Sequence, residues 1–156
     1  MSRAERFAAE RFRAARSARL ATVTPDGAPH LVPIVFALVE GPPPAAAGQP
    51  EFVIHTAVDG KPKRHRALQR LTNIAHEPRV SVLADHYDDD WSTLWWVRAD
   101  GLATVTDESS PELLARYPQY ASAPPPGPFL RIVVTRWQAW SAQDPAPVPR
   151  GPTRPL

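Results

Sequence analysis

Residues 59–66 read DGKPKRHR and contain the only two lysines of the chain, Lys61 and Lys63, followed by Arg64. This segment lies after an apolar run that ends near Thr56 and before a helical pattern, so its amides belong to a helix N-terminus. This combination favours a bound anion such as a phosphate, because it offers ammonium groups, a guanidinium, unpaired amides and a threonine hydroxyl. A solvated basic turn explains the same pattern. A nucleic-acid patch is a third alternative, although no aromatic motif accompanies the cluster.

Hard ligands for a divalent cation concentrate in DHYDDDW, residues 85–91. The calcium-loop template fails there, because Asp90 stands where it requires glycine and Trp96 stands where it requires glutamate. The five histidines show no H-E-x-x-H spacing, and the chain has no cysteine. Neither a G-x-S-x-G elbow nor a glycine-rich phosphate loop is present. We therefore predict no metal site, and no residue is identified as a catalytic acid, base or nucleophile.

Four tryptophans occur as two pairs in runs that read as strands, Trp95 with Trp96 and Trp137 with Trp140. Positions one or three apart on a strand face opposite sides of the sheet. One ring of the pair Trp95 and Trp96 is therefore expected in the core. The other ring of that pair is free to line a pocket or an interface, as are Trp137 and Trp140. The alternative is that all four rings fill the core.

Length and composition indicate one domain. The chain has 156 residues, which suits a single hydrophobic core. We assign residues 1–142 to this domain and residues 143–156 to a proline-rich tail. No apolar run approaches the roughly 20 residues of a membrane span, and the charged N-terminus is unlike a signal peptide, so we expect a cytoplasmic protein. The net charge of +2 is small for a general binder of nucleic-acid backbone.

The hydrophobic pattern predicts six strands and few helices. Ser2 and Glu5 have capping-box spacing, so a first helix is expected from there to about residue 18. A second helix is expected to end at Pro78, and a short third one to follow Ser110. The strands are expected at residues 19–24, 28–40, 51–57, 79–87, 92–106 and 129–142. Because helices and strands do not alternate, we predict a mainly β fold, a six-stranded antiparallel barrel with flanking helices.

The order of the segments closely resembles that of the pyridoxamine 5'-phosphate oxidase-like split β-barrel superfamily. These segments are ATVTPDGAPHLVPIVF, FVIHTA, the basic loop with its helix, EPRVSVL and WVRADGLATVTD. The stretch HEPRVSVLADHYDDDWSTLWWVRADG is similar to an actinobacterial group of deazaflavin (coenzyme F420)-dependent oxidoreductases. The likeness covers residues 18–142. It implies a homodimer of split barrels with a flavin or deazaflavin in each of two clefts at the interface.

The resemblance also implies roles for individual residues. The second strand of such barrels runs along the cofactor ring, which places Val32, Pro33, Ile34 and Val35 there. A proline breaks the hydrogen-bond ladder of a strand and marks an edge, a bulge or a backbone that faces something other than a strand. A cofactor ring along this strand would therefore explain the presence of a proline at position 33.

The phosphate of the cofactor is held in such proteins by the end of the third strand and by the basic residues after it. The corresponding residues are His55, Thr56, Lys61, Lys63 and Arg64.

Two aromatic residues complete the implied site. Trp96 stands where flavin-binding relatives carry a polar amide that contacts the ring, so it favours stacking or blocks a flavin-like pose. Trp140 matches an aromatic residue that approaches the cofactor from the partner subunit.

The implied activity is transfer of a hydride from reduced coenzyme F420 to an unidentified small organic acceptor. Two alternatives remain open. One is an oxidoreductase of the same fold that uses FMN, and the other is a non-catalytic protein that binds flavin, F420 or a tetrapyrrole-like ligand. True pyridoxamine phosphate oxidases end in a basic motif, whereas this chain ends PAPVPRGPTRPL, so vitamin B6 oxidation is not expected. As a further hypothesis, Arg11, Arg13 and Arg16 in the first helix form a landing surface for the acidic oligoglutamate tail of F420.

Overall fold

The computed structural model describes residues 1–41, 51–58 and 64–143, with side chains from residue 69 onward in the last range. Helix α1 (Arg3–Ala14) begins at the predicted capping box. The Ser2 hydroxyl accepts a hydrogen bond from the Glu5 amide at 3.1 Å, and the Glu5 carboxylate accepts one from the Ser2 amide at 2.8 Å. The helix is shorter than expected, because the first strand already begins at Ala18. Its buried residues are Ala8, Ala9 and Phe12.

Among the described residues, seven strands form one antiparallel sheet, which confirms the predicted mainly β class. The strands are β1 (Ala18–Val23), β2 (Pro29–Ile34), β3 (Ala37–Gly41), β4 (Glu51–Ala57), β5 (Arg79–His86), β6 (Trp95–Thr106) and β7 (Phe129–Ser141). Their order across the sheet is β2-β1-β5-β6-β7-β4-β3.

The predicted count of six strands is wrong, because the run at residues 28–40 divides into β2 and β3. β2 pairs with β1 at one edge of the sheet, whereas β3 pairs with β4 at the other edge. The two residues between them, Val35 and Phe36, therefore join opposite edges of the sheet, which brings those edges together as a barrel requires. We call residues 35–36 the crossing. Pro33 lies on β2, and so occupies an edge strand, one of the positions predicted for it.

The core contains an aromatic cluster that joins α1 to the sheet. The ring of Phe12 lies 4.7 Å from that of Phe36 and 5.4 Å from that of Trp137. Trp137 in turn meets Phe52 edge to face at 5.8 Å. Aliphatic side chains from several strands complete the core, including Leu20, Ile54, Val82, Val97, Leu130 and Ile132.

The described part of the chain contains three further helices beside the sheet, namely α2 (Arg64–His76), α3 (Pro111–Arg116) and α4 (Gln119–Ser122). α2 and α3 were predicted, and the Ser110 hydroxyl caps α3 by accepting a hydrogen bond from the Leu113 amide at 3.3 Å. α4 was not predicted. Residues Trp91–Thr93 form a 3-10 turn, and for this reason β6 begins at Trp95 rather than at residue 92.

In the described part of the chain, no helix combines the length and the apolar character that crossing a membrane requires. The proline-rich tail lies outside the described residues from residue 144 onward.

Candidate functional site

The crossing lies against the C-terminal end of β4. Ala37, directly after the crossing, is the register partner of His55. The Thr56 hydroxyl, buried with the rest of its side chain, donates a hydrogen bond of 2.7 Å to the carbonyl oxygen of Val35. The structure therefore brings together three predicted site residues, Val35, His55 and Thr56. Because the single hydroxyl proton of Thr56 is used in this bond, the hydroxyl can offer a phosphate only a lone pair in this conformation.

Both main-chain groups of Phe36 in the crossing are bound by side chains at the end of α3. The Phe36 amide donates to the hydroxyl oxygen of Tyr117 at 3.0 Å. The Phe36 carbonyl lies 3.0 Å from Nη1 of Arg116 and 2.8 Å from the Tyr117 hydroxyl, so it can accept from both. Arg116 also donates to the carbonyl of Ala15, after the end of α1. Side chains thus take the place of a neighbouring strand at the crossing.

His55 is half-buried and has a charged neighbourhood that sequence reasoning did not anticipate. Burial lowers the pKa of His55, the positive charge of Arg131 lowers that pKa further, and Glu112 opposes the shift. Arg131 is the register partner of His55 on β7, and its guanidinium lies 3.2 Å from a carboxylate oxygen of Glu51. The sequence predicts both strands but not their register, and for this reason Arg131 was missed.

The residues expected along the cofactor ring alternate between the two faces of β2. Ile34 is buried and Val32 is half-buried, whereas Pro33 is exposed on the other side. Within the described sheet, β2 is an edge strand with β1 as its partner on one side. These residues can therefore meet a flat ring with the free main-chain edge of β2, together with Val35 in the crossing.

The predicted phosphate cations fall largely outside the described residues. Lys61 and Lys63 lie in the segment 59–63, and of Arg64 only the backbone is described, as the first residue of α2. These three assignments remain predictions.

The C-terminal part of α2 is anchored by a buried polar chain that the sequence analysis did not find. The side-chain amide of Asn73 donates to the Thr22 hydroxyl at 3.0 Å and accepts from Gln69 at 2.7 Å. The Thr22 hydroxyl lies 3.5 Å from Nδ1 of His30. Because Asn73 and Thr22 are both buried, this chain fixes α2 against β1 and β2.

Trp96 and Trp140 are register partners on β6 and β7, so the structure brings these two predicted site residues side by side on one face of the sheet. Trp140 is 41% exposed, while Trp137 is buried, as expected for rings on opposite faces. On the other side of Trp96 the register partner is Asp85, whose carboxylate lies 3.4 Å from the guanidinium of Arg19.

The tryptophan pair is distant from His55 along the sheet. Nine positions of β7 separate Arg131, the partner of His55, from Trp140, the partner of Trp96. At about 3.3 Å per residue this is roughly 30 Å of strand. One chain therefore places His55 and its aromatic pair near opposite ends of β7.

Two of the three arginines proposed to receive the F420 tail have partners within the chain. Arg11 donates to the Ser141 hydroxyl at 2.9 Å, and its guanidinium lies 5.3 Å from the ring of Trp95. Arg13 lies 3.6 Å from the Glu40 carboxylate. Replacing all three would therefore remove packing as well as charge. Arg16 is exposed, and Arg16→Ala is the cleaner probe of the hypothesis.

Two of the four aspartates in residues 85–91, Asp88 and Asp90, are engaged in local hydrogen bonds. Asp90 caps the 3-10 turn by accepting from the Ser92 amide at 3.1 Å, and Asp88 lies 2.9 Å from Nε2 of His86. Among the described residues, no group of three or more histidine, cysteine or acidic side chains is placed to hold a metal ion.

An open depression of about 420 Å³ lies on the outer face of β1, β5 and β6. Its rim includes Val23 and Leu102, which are 38% and 47% exposed, and its polar lining includes Arg79 and Asp100. Leu31, the register partner of Ala21 in that lining, is 66% exposed. Exposed apolar side chains thus extend over this face of the sheet.

Comparison with known proteins supports the fold. A family model described as pyridoxamine 5'-phosphate oxidase matches residues 5–141. No match to the chain is found among curated proteins.

Several solved structures have a similar fold. A conserved hypothetical protein of Mycobacterium tuberculosis, Rv2991, has a TM-score of 0.59 at 24% identity, over 99% of this chain and 95% of that chain. An FAD-binding protein of Mesorhizobium loti has a TM-score of 0.59 at 18% identity, over 89% and 94%. The heme storage protein HutZ of Vibrio cholerae has a TM-score of 0.52 at 15% identity, over 89% and 93%.

Proposed function

Because the chain belongs to the pyridoxamine 5'-phosphate oxidase family, we propose that it is a split-barrel oxidoreductase that uses coenzyme F420. In this proposal the protein is a cytoplasmic homodimer of the actinobacterial deazaflavin-dependent group. It transfers a hydride from the reduced cofactor to a small organic acceptor.

The observation that carries the proposal is the contact between the crossing and the end of β4. There the end of β2 leads through the crossing to Ala37, which pairs with His55, and His55 in turn pairs with Arg131. The segment with Lys61 and Lys63 follows β4 directly in the sequence. Glu51 offsets the charge of Arg131, so the lysines are needed to balance a phosphate. The residues present thus fit a cofactor that combines a ring with a phosphate.

The separation of the two groups of candidate residues supports a dimer. Roughly 30 Å of β7 lies between His55 and the Trp96–Trp140 pair, farther than one flavin mononucleotide reaches. A second copy would bring its own tryptophan pair to the first copy's phosphate residues. The exposed apolar face around Leu31, Val23 and Leu102 offers surface for such an association.

In the proposed complex, the residues of this chain bind and orient rather than react. Reduced F420 supplies the hydride from its C5 when bound. The main chain of β2 and the crossing orient the ring, and His55, Lys61 and Lys63 hold the phosphate. The indoles of Trp96 and Trp140 cover the site and exclude water. Trp96 offers the ring a π-face in place of a polar amide, which favours a deazaflavin over FMN in this proposal.

The test is a titration of the purified protein with F420, FMN and heme, followed by absorbance. We expect F420 to bind and the reduced form to be oxidised when an electron-poor acceptor is added. Binding of FMN alone would change the cofactor in the proposal, and binding without turnover would favour a storage role. Absence of binding to any flavin or deazaflavin would contradict it.

A variant sharpens the test of the phosphate site. Lys61→Ala combined with Lys63→Ala should weaken F420 binding about tenfold or more, because charged hydrogen bonds to the phosphate are lost. The deazaflavin riboside, which lacks the phosphate, is the matched control and should bind both proteins equally. Equal F420 affinity of the variant and the wild type would assign residues 59–66 to plain surface.

A further inference from the structure

The short helix α3 has no part in the proposed binding of the ring or of the phosphate, yet it binds the main chain of the crossing. Tyr117, directly after α3, accepts from the Phe36 amide at 3.0 Å, while Arg116 donates to the Phe36 carbonyl at 3.0 Å. Thr56 binds the carbonyl of the preceding residue, Val35, at 2.7 Å. Three side chains thus hold two consecutive residues that join opposite edges of the sheet.

α3 is held in place by an N-terminal cap and a buried cluster. Its N-terminus is capped by Ser110, and Leu113 and Tyr117 are buried in a small cluster with Ala37, Ala57 and Phe129. This cluster includes the residue after the crossing and the last residue of β4. The helix is therefore packed against the elements on both sides of the crossing, and its hydrogen bonds to Phe36 start from a fixed base.

Arg116 extends this link to the N-terminal region. Its guanidinium donates to the carbonyl of Ala15 as well as to that of Phe36, and it lies 5.0 Å from the centre of the Phe36 ring. The Tyr117 hydroxyl also lies 3.1 Å from the carbonyl of Arg16, so its one proton is shared between this carbonyl and that of Phe36. Residues 15–16, the crossing and α3 are thus joined through two side chains.

We propose that Tyr117 and Arg116 are positioning residues, which fix the crossing in the geometry that the ring of the bound cofactor requires. This inference rests on the proposed function. Both residues are turned toward the main chain of Phe36, so their effect on the ring passes through the crossing. They act on the ring rather than on the phosphate, which is held by the basic residues after β4.

The central variant is Tyr117→Phe, which keeps the ring in its cluster but leaves the Phe36 amide without its acceptor. We expect affinity for F420 to fall about tenfold, which corresponds to about 1.4 kcal/mol. The affinity for the deazaflavin riboside should fall by the same factor, because the two ligands share the ring. The visible circular dichroism of the bound deazaflavin should also change. Arg116→Lys, which loses the forked geometry, provides a second variant with the same expected pattern.

Two controls separate positioning from general stability. Val82→Ala opens a cavity at a fully buried position on β5, whose register partners are Leu20 and Ala99, and lowers stability. Tyr87→Phe makes the same chemical change at an exposed tyrosine. Both controls should keep the wild-type affinity and dichroism at temperatures where the proteins are folded.

The outcomes distinguish this inference from the proposed function. If the wild type binds F420 but Tyr117→Phe and Arg116→Lys bind it with unchanged affinity and dichroism, the positioning role is excluded and the proposed function stands. The positioning role is also excluded if Val82→Ala loses as much affinity for F420 as Tyr117→Phe does at equal stability. A wild type that binds neither F420 nor FMN overturns both proposals.

Discussion

The hydroxyl of Thr56 donates a hydrogen bond of 2.7 Å to the carbonyl oxygen of Val35 and so ties the end of β4 to the crossing. The segment expected to hold a phosphate is thereby linked directly to the segment expected to meet a ring. Thr56 was predicted to contact the phosphate with its hydroxyl. The structure gives this hydroxyl a structural bond, which makes its role testable apart from ligand binding.

Thr56→Val should destabilise the fold, because valine keeps the shape of the side chain but cannot donate to Val35. We expect the free energy of unfolding to fall by about 1 kcal/mol, as for a typical intramolecular hydrogen bond. Urea unfolding measures this change. A valine variant as stable as the wild type would show that the bond does not stabilise the protein.

The lowered pKa of His55 predicts a specific pH dependence of stability. Burial and the charge of Arg131 disfavour the protonated imidazole in the folded state, while the unfolded chain protonates His55 near the ordinary value of 6.5. The unfolded state therefore binds more protons between the folded pKa and 6.5, and the free energy of unfolding falls as the pH drops through this range. Above about pH 7 His55 is neutral in both the folded and the unfolded state, so it no longer makes the free energy of unfolding depend on pH.

His55→Gln should remove this part of the pH dependence. Unfolding of both proteins at a series of pH values between about 5 and 8 isolates the contribution of His55 from that of the other titrating groups. The wild type should lose stability relative to the variant as the pH is lowered. Parallel curves for the two proteins would contradict the assigned environment of His55.

Most of the fold could be predicted from the sequence because its signals are local. The run at residues 51–57 forms β4 with the predicted bounds, and the capping box at Ser2 and Glu5 is present. The division of residues 28–40 into β2 and β3 could not be predicted, since the run stays apolar through Val35 and Phe36. It depends on the opposite edges of the sheet meeting, and on side chains from the distant α3.

The candidate site is only partly visible in the sequence for a similar reason. His55 and Thr56 were identified because they end a recognisable strand before a basic segment. Arg131 and Tyr117 were missed, because they reach the site through strand register and helix packing between residues far apart in the chain. Trp96 and Trp140 were identified separately, and their direct pairing follows from the register of β6 and β7.

Gly101 is expected to be intolerant of substitution because of the close approach of β7. A Cβ atom there would lie 2.4 Å from the Val133 carbonyl oxygen and 2.9 Å from a side-chain carbon of Ile132, next to the register shift between Asp100 and Gly101. Gly101→Ala should therefore lower the free energy of unfolding by about 1–3 kcal/mol. This is measured by chemical denaturation.

Gly41→Ala is the matched control for this substitution. Its added Cβ would lie at an ordinary 3.6 Å from the Glu51 carbonyl oxygen. We expect its stability to remain within about 0.5 kcal/mol of the wild type. If both alanine variants unfold alike, the close contact at Gly101 is relieved without cost.

A mixed-dimer experiment tests whether each cleft combines residues of two chains. One variant carries Lys61→Ala with Lys63→Ala in the phosphate segment, and the other carries Trp140→Ala in the aromatic pair. If the clefts are shared, an equal mixture that exchanges subunits regains about a quarter of the wild-type number of F420 sites, since half of the dimers contain one intact cleft. Sites built within one chain would give no recovery, because every chain is then defective.

The reciprocal mixture makes the outcome decisive. When all three substitutions are placed in one chain and mixed equally with wild type, shared clefts leave about a quarter of the sites intact, because only wild-type homodimers retain them. Sites within one chain leave about half. Titration with F420 measures the fraction of intact sites in each mixture. Shared clefts give about a quarter in both mixtures. Sites within one chain give none in the first mixture and about half in the reciprocal one. We expect equal recovery in the two mixtures, because roughly 30 Å of β7 separates His55, at the end of β4, from the Trp96–Trp140 pair in a single chain.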